Sequence, residues 1–426
     1  MAGRGSRIKG ITPVKSWVGL HGIVAVAPID EQRGDRLKST GGSVAICNAN
    51  IVSGSTIVEK GCVVAQEGLI TSAGYEKPPS GFKGEIIDAR GGYLSAGFID
   101  LHLHGACGVN FLDGREDSVR KIQAAHARYG TTAVLATLGT APIETLKEAI
   151  SCLKTMINGG RHDGLLGIHL EGPYINRLKS GAQPVEQIRA PDWEELSELV
   201  DLAGGHLKIV TLAPEIKGGL SLVEMLQERG IIPAIGHSNA SVEESEEAFA
   251  AGVRYVVHLF NAMSVMHHRF PGLAAAALLD DDVVVELIAD GVHVDPRMLR
   301  LALRVKRWDN VVLVTDCIEA LDSGAESFTV WGRRAKVFGD APRFDDGVLC
   351  GTILTLNEAL KNILRYTGRH LTEVIKLATI NPARVLGIDT RKGSVEKGKD
   401  ADLVVFDDDL AVQASVINGK IVYNTM

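Results

Sequence analysis

Between about residue 97 and residue 316 the chain repeats one pattern eight times: a short, apolar, β-branched run followed by a stretch with helical character. The runs are Gly97–His104, Thr131–Thr137, Leu165–Glu171, Leu207–Ala213, Ile231–His237, Arg254–His258, Val283–Ala289 and Val311–Asp316. They do not alternate apolar with polar, as a strand with one wet face would, so each reads as a strand covered on both faces. The intervening segments include Asp117–Tyr129, Pro142–Met156, Trp193–Ala203, Ser221–Arg229, Val242–Ala250 and Pro296–Val305, the crossovers that parallel strands require. Eight β/α units in about 220 residues predict an α/β chain built on a (β/α)8 TIM barrel. Further helices are expected at Thr352–Tyr366 and Leu371–Leu386.

The flanks have a different texture. From Ser43 to Leu94 short β-rich runs (Val44–Ile46, Gly61–Ala65, Leu69–Ala73) are separated by Gly-containing turns. Near the C-terminus Asp402–Phe406 and Ala414–Val422 surround Asn418-Gly419, a favoured hairpin turn. Neither flank has enough strands to stand alone, so the two are expected to join in a small β-sandwich-like domain, 43–95 with 390–426, beside a catalytic barrel at 96–389. Residues 1–42, rich in Gly and basic residues, read as an extension preceding the folded body.

Composition narrows the function classes. A total of 45 Lys+Arg against 52 Asp+Glu leaves a net charge of −7, so no global basic field draws the chain to nucleic acid or anionic lipid. Aromatic residues, at 5%, are too few for a base-stacking platform. Val18–Ile29 is apolar but contains His21 and is far too short to span a bilayer. The six cysteines (Cys47, Cys62, Cys107, Cys152, Cys317, Cys350) form no C-x-x-C pair and read as reduced thiols of a cytoplasmic protein.

The chemistry lies at the strand ends. The first run finishes Asp100-Leu-His102-Leu-His104, and the two-residue period of a strand puts both histidines on one face. The third finishes His169-Leu-Glu171, the fifth at His237, the sixth at His258 and the eighth at Asp316. A lone histidine on an apolar run is ordinarily a satisfied core residue, and a lone carboxylate ordinarily a cap. Four imidazoles and two carboxylates converging on the C-terminal mouth of one barrel need a common partner, and a divalent cation such as zinc is the simplest.

The order of motifs resembles the amidohydrolase superfamily and, within it, the N-acetylglucosamine-6-phosphate deacetylase family. The likeness rests on His102-x-His104, His169-Leu-Glu171-Gly-Pro, Gly236-His237-Ser-Asn-Ala, His258-Leu-Phe-Asn261-Ala-Met-Ser with His268-Arg269-Phe-Pro-Gly272, Ala289-Asp-Gly-Val-His293 and Val314-Thr-Asp316, and it runs from Ser43 to Tyr423. It implies that Glu171, His237 and His258 hold one metal, that His102 and His104 allow a second bridged by Glu171 and completed by Asp316, and that Asp316 also moves the proton. It further implies an amino-sugar phosphate substrate held by Asn261, Ala262, Arg269 and His293, with Arg269 reaching across a homodimer interface.

One departure stands out: where the family usually has a histidine facing the substrate carbonyl, this chain has Gln183, in Gly181-Ala182-Gln183-Pro184. Its neutral amide can donate to that oxygen but cannot offer a protonated imidazole. The alternatives are therefore a different acylamino-sugar phosphate, such as N-acetylgalactosamine 6-phosphate, and a non-catalytic sugar-phosphate sensor. A cyclic-amide hydrolase bridged by a carboxylated lysine fits less well, since Lys208 stands at the start of its run, away from the strand end.

Overall fold

The computed structural model describes residues 41–75 and 77–426. Eight parallel strands form one ring in chain order: Phe98–Leu103, Thr131–Gly139, Leu165–Glu171, Leu207–Leu212, Ile232–Ile235, Tyr255–Val256, Val284–Ile288 and Val311–Val314, here barrel strands one to eight. The ring closes at its C-terminal end, where the Asp316 amide donates to the His102 carbonyl at 2.9 Å and Leu103 bridges Cys317. Side chains such as Leu101, Ile168, Val210 and Val312 fill the interior and the strand–helix layer, all wholly buried.

Three strands end two residues earlier than the apolar pattern predicts, and for one reason. His237, His258 and Asp316 have positive φ (48°, 31° and 49°), so the chain leaves the ladder just before each of them. Left-handed backbone is costly for a residue with a Cβ, and its clustering here marks a site rather than a fold requirement.

Strands Val44–Ser53, Thr56–Gln66, Leu69–Gly74, Glu85–Asp88 and Tyr93–Ala96 from one flank join Leu403–Phe406, Val412–Ile417 and Lys420–Asn424 from the other in a single mixed eight-stranded sheet. The seam pairs Leu403 with Ala96 and Val405 with Leu94, antiparallel. The sheet has its own core, including Val44, Ile46, Leu94, Leu403 and Val416. The expected extension lies outside the described residues except for Gly41 and Gly42, and the Gly42 amide donates to Asn418 at 2.9 Å.

One expectation is corrected, and two elements appear that the sequence pattern does not mark. Cys47 and Cys62 are disulfide-bonded, with Cα atoms 4.0 Å apart, and only Cys107, Cys152, Cys317 and Cys350 are free thiols. A spacing of fifteen residues carries no signature of this pair; the antiparallel pairing of the first two strands creates it. A helix at Gly272–Leu279 escapes periodicity because all its residues but Leu279 are buried, leaving no polar face. Beyond strand eight, Phe328–Val330, Arg333–Phe338 and Ala341–Phe344 form a three-stranded antiparallel sheet that the apolar pattern does not mark. No helix among the described residues is long and apolar enough to cross a membrane.

Candidate active site

The strand ends bring the predicted residues together around one carboxylate oxygen. Glu171 Oε1 is 3.0 Å from His237 Nε2, 3.1 Å from His258 Nε2 and 3.3 Å from His102 Nε2. Its second oxygen lies 3.4 Å from His104 Nε2, which is 3.2 Å from Asp316 Oδ1. Glu171 and the four imidazoles are buried.

Their neighbours orient the nitrogens. His237 Nδ1 faces the Lys179 carbonyl at 2.8 Å and His102 Nδ1 faces Glu286 Oε2 at 2.9 Å. A carbonyl or carboxylate oxygen only accepts, so both Nδ1 atoms carry a proton, and in the neutral ring each Nε2 turns a lone pair inward. Against burial, the Glu286 and Glu171 carboxylates hold the His102 pKa above its ordinary value, so a cation there would take the place of a proton. His237 Nε2 and His258 Nε2 then stand 3.2 Å apart over a shared anion, and His102 Nε2 has no hydrogen-bond partner. Inward lone pairs around a buried carboxylate are the donor set of a divalent cation and a poor match for anything else.

Two triads fit such an ion: Glu171 with His237 and His258, and Glu171 with His102 and His104. A third, His102 with His169 and Glu286, is structural. Both ring nitrogens of His169 are taken, by the Leu101 carbonyl at 3.1 Å and the Thr211 hydroxyl at 2.8 Å, and burial pushes its pKa down to about 3. Burial works against charge on His104 as well, yet the Asp316 and Glu171 carboxylates hold its pKa up at about 9 while no cation shares them. Metal loading there displaces protons.

Of the residues that the resemblance assigns to the substrate, Gln183 is buried against the cluster. Its Oε1 accepts from the Thr140 amide at 2.9 Å, which turns Nε2 toward His237 Nε2 at 3.3 Å. Gly181 and Ala262 flank His237: a Cβ built on Gly181 would lie 3.3 Å from the imidazole and 3.5 Å from the Ala262 methyl. Asn261 turns its amide to the His258 and Leu259 carbonyls, both at 3.3 Å. His293 is fixed through Nδ1 by Asp290 at 2.6 Å, leaving Nε2 as its free face. Arg269 is exposed, and its guanidinium bonds His268 at 2.9 Å rather than any residue of the cluster.

Glu286 and Asp100 escape the sequence reading. Glu286, wholly buried on strand seven, orients His102 and also accepts the His258 amide at 3.0 Å. An acid inside the apolar run Val283–Ile288 was the signal available for it. Asp100 ties strand one to strand eight by accepting from the Thr315 hydroxyl at 2.6 Å, and burial raises its pKa to about 7. Lys208 bonds the Gly205 carbonyl at 2.7 Å, at the N-terminal end of strand four, and bridges no metal pair.

An eight-stranded β/α ring with a histidine–carboxylate cluster at its C-terminal mouth defines a metal-dependent hydrolase barrel. The amidohydrolase family matches residues 93–422. N-acetylglucosamine-6-phosphate deacetylase of Bacillus subtilis is 35% identical over 89% of this chain and 97% of its own. N-acetylgalactosamine-6-phosphate deacetylase of Escherichia coli O157:H7 is 35% identical over 77% and 87%. A structure of N-acetyl-D-glucosamine-6-phosphate deacetylase from Mycobacterium smegmatis with N-acetyl-D-glucosamine-6-phosphate superposes with a TM-score of 0.84 at 30% identity, covering 90% of this chain and all of that one. The chain belongs to the amidohydrolase family, in the branch of the N-acetylglucosamine-6-phosphate deacetylases.

Proposed function

We propose that the protein hydrolyses the acetamide of N-acetylglucosamine 6-phosphate to glucosamine 6-phosphate and acetate. The observation that carries this reading is the convergence of three imidazole Nε2 atoms on Glu171 Oε1, on a chain whose relatives carry that activity in name over nearly their whole length. Glu171, His237 and His258 would hold one divalent ion, zinc by donor type, and His102 and His104 a second, with Asp316 beside it. Such an ion supplies Lewis acidity and lowers the pKa of water from 15.7 to about 7.

The chain's own residues do the rest. Asp316 takes the proton of the attacking water and returns it to the departing amine, so that nitrogen leaves instead of water. Gln183 Nε2, locked in orientation by the Thr140 amide, donates to the carbonyl oxygen as charge develops on it. Asn261, the Ala262 amide and His293 receive the sugar phosphate. Arg269, turned away from its own cluster, serves the neighbouring site of a homodimer, where its fork gives phosphate two parallel hydrogen bonds.

Acetate release from N-acetylglucosamine 6-phosphate, before and after chelation and zinc add-back, tests the reading. Release lost on chelation and restored by metal is expected. Greater activity on the galactosamine epimer transfers the assignment to that sugar, and tight sugar-phosphate binding with no acetate from either makes the protein a sensor.

A further inference from the structure

A cavity of about 370 Å³ opens beside the cluster, lined by none of the residues proposed to hold the sugar phosphate. Its walls include His104, Leu112, Thr140, Ala141, Pro184 and Trp331. Trp331 comes from the three-stranded sheet beyond strand eight; its ring meets His104 edge-on at 5.2 Å and covers Gly139, where an added Cβ would stand 2.3 Å from the ring. The cavity therefore has a built aromatic wall seated against a metal-type histidine. Its size falls within the range of small-ligand pockets, many times the space one methyl fills.

The position says which part of a substrate would enter. Asn261, Ala262 and His293 follow strands six and seven, whereas Thr140 and Ala141 follow strand two, directly across an eight-membered ring from strand six. A planar amide carbon has three substituents pointing apart. With oxygen toward Gln183 and nitrogen toward the sugar, the third substituent faces strands one and two. We propose that this cavity is an acyl pocket, and that the enzyme hydrolyses 2-N-acyl glucosamine 6-phosphates whose acyl chain is longer than acetyl, notably propionyl and butyryl. The inference rests on the proposed deacetylase reading and extends its substrate class. The balance is that of the same hydrolysis: water's oxygen bonds the acyl carbon, the C–N bond breaks, the amine leaves with a proton from water, and propionate or butyrate replaces acetate. Glu186 and Glu319 also line the cavity, so an acyl chain ending in a carboxylate, such as succinyl, is repelled.

The test measures kcat/KM for the N-acetyl, N-propionyl, N-butyryl and N-succinyl 6-phosphates with the full chain and zinc. Propionyl and butyryl are expected at or above the acetyl value, with gains of up to about fourfold per buried methylene. A propionyl value more than about threefold below acetyl overturns the proposal. Ala141→Leu, and independently Leu112→Phe, should lower the butyryl-to-acetyl ratio about tenfold by filling the cavity. An unchanged ratio in both variants, each folded, overturns it too. Calorimetric binding to Asp316→Asn gives a second readout with turnover slowed roughly 10²–10⁴-fold: the butyryl compound should bind at least as tightly as the acetyl one, and weaker binding counts against the pocket. Absence of hydrolysis of every amide sinks the deacetylase reading, while hydrolysis of acetyl alone sinks only the acyl pocket.

Discussion

At the scale of single residues, two carboxylates have separable roles. Asp316 is 3.2 Å from His104 and 3.7 Å from His102, close enough to share a cation and exchange a proton with water beside it. Asp316→Asn should retain most of the metal and lower kcat by roughly 10²–10⁴, the usual worth of a general acid–base; turnover near that of the parent would remove its proton role. Glu286 is wholly buried behind His102 and fixes which of its nitrogens faces inward. Glu286→Gln should therefore weaken metal affinity by about 10–100-fold, as loss of a partner behind a ligand does, with kcat at saturating metal much less affected. Competition against a chelator of known affinity measures the first and steady-state kinetics the second; a large fall in kcat at full loading would place Glu286 in the chemistry.

At the scale of elements, the packing of the first crossover helix on the mouth of strand one makes stability depend on pH. His126, on the helix Glu116–Ala127, is wholly buried; its Nε2 reaches the Gly105 carbonyl at 3.4 Å, its Nδ1 has no partner, and burial pushes its pKa down to about 4. Between about pH 6.5 and about pH 4 the unfolded chain binds a proton that the folded chain refuses, so stability rises with pH across this window and is lost as pH falls through it. The contribution is about 3 kcal/mol. His126→Gln keeps a donor toward Gly105 without the titration, and denaturant melts from pH 7 to pH 4 should show a flatter dependence than the parent. Parallel curves would assign the acid sensitivity to other groups. The elements themselves were readable to differing degrees. Trp193–Ala203, Val242–Ala250 and Pro296–Val305 are helices with the predicted ends because each carries a polar face and a capping or proline signal. Gly272–Leu279 has no polar face, and Pro271 at its start supplies no side-chain cap.

At the scale of the whole molecule, Arg269, the cation proposed for the substrate phosphate, turns away from the cluster of its own chain. Arg269 bonds its neighbour His268 on a loop where Val265, Met266 and Phe270 are also exposed, a combination suited to burial against a second copy. Arg269→Ala should raise KM for the phosphorylated substrate by at least about tenfold and leave the unphosphorylated analogue nearly unaffected. In a dimer with shared sites, mixing Arg269→Ala with Asp316→Asn should raise activity at subsaturating substrate above that of either variant alone, because the mixed dimer assembles one complete site. No recovery after verified subunit exchange would place the phosphate-binding cation within the same chain.

The amino-acid sequence by itself determined the barrel and the identity of the clustered side chains. Repeated apolar runs leave a chain few ways to bury both faces of every strand, and polar residues at the ends of those runs stand out against them. Tertiary structure alone decided what the pattern could not encode. Side-chain orientation came from partners distant in the chain, such as Glu286 behind His102 and Thr140 behind Gln183. The Cys47–Cys62 bond and the Trp331 wall arose where separate segments met, because contacts between residues far apart in the chain depend on how the strands pair and pack, which local periodicity does not record.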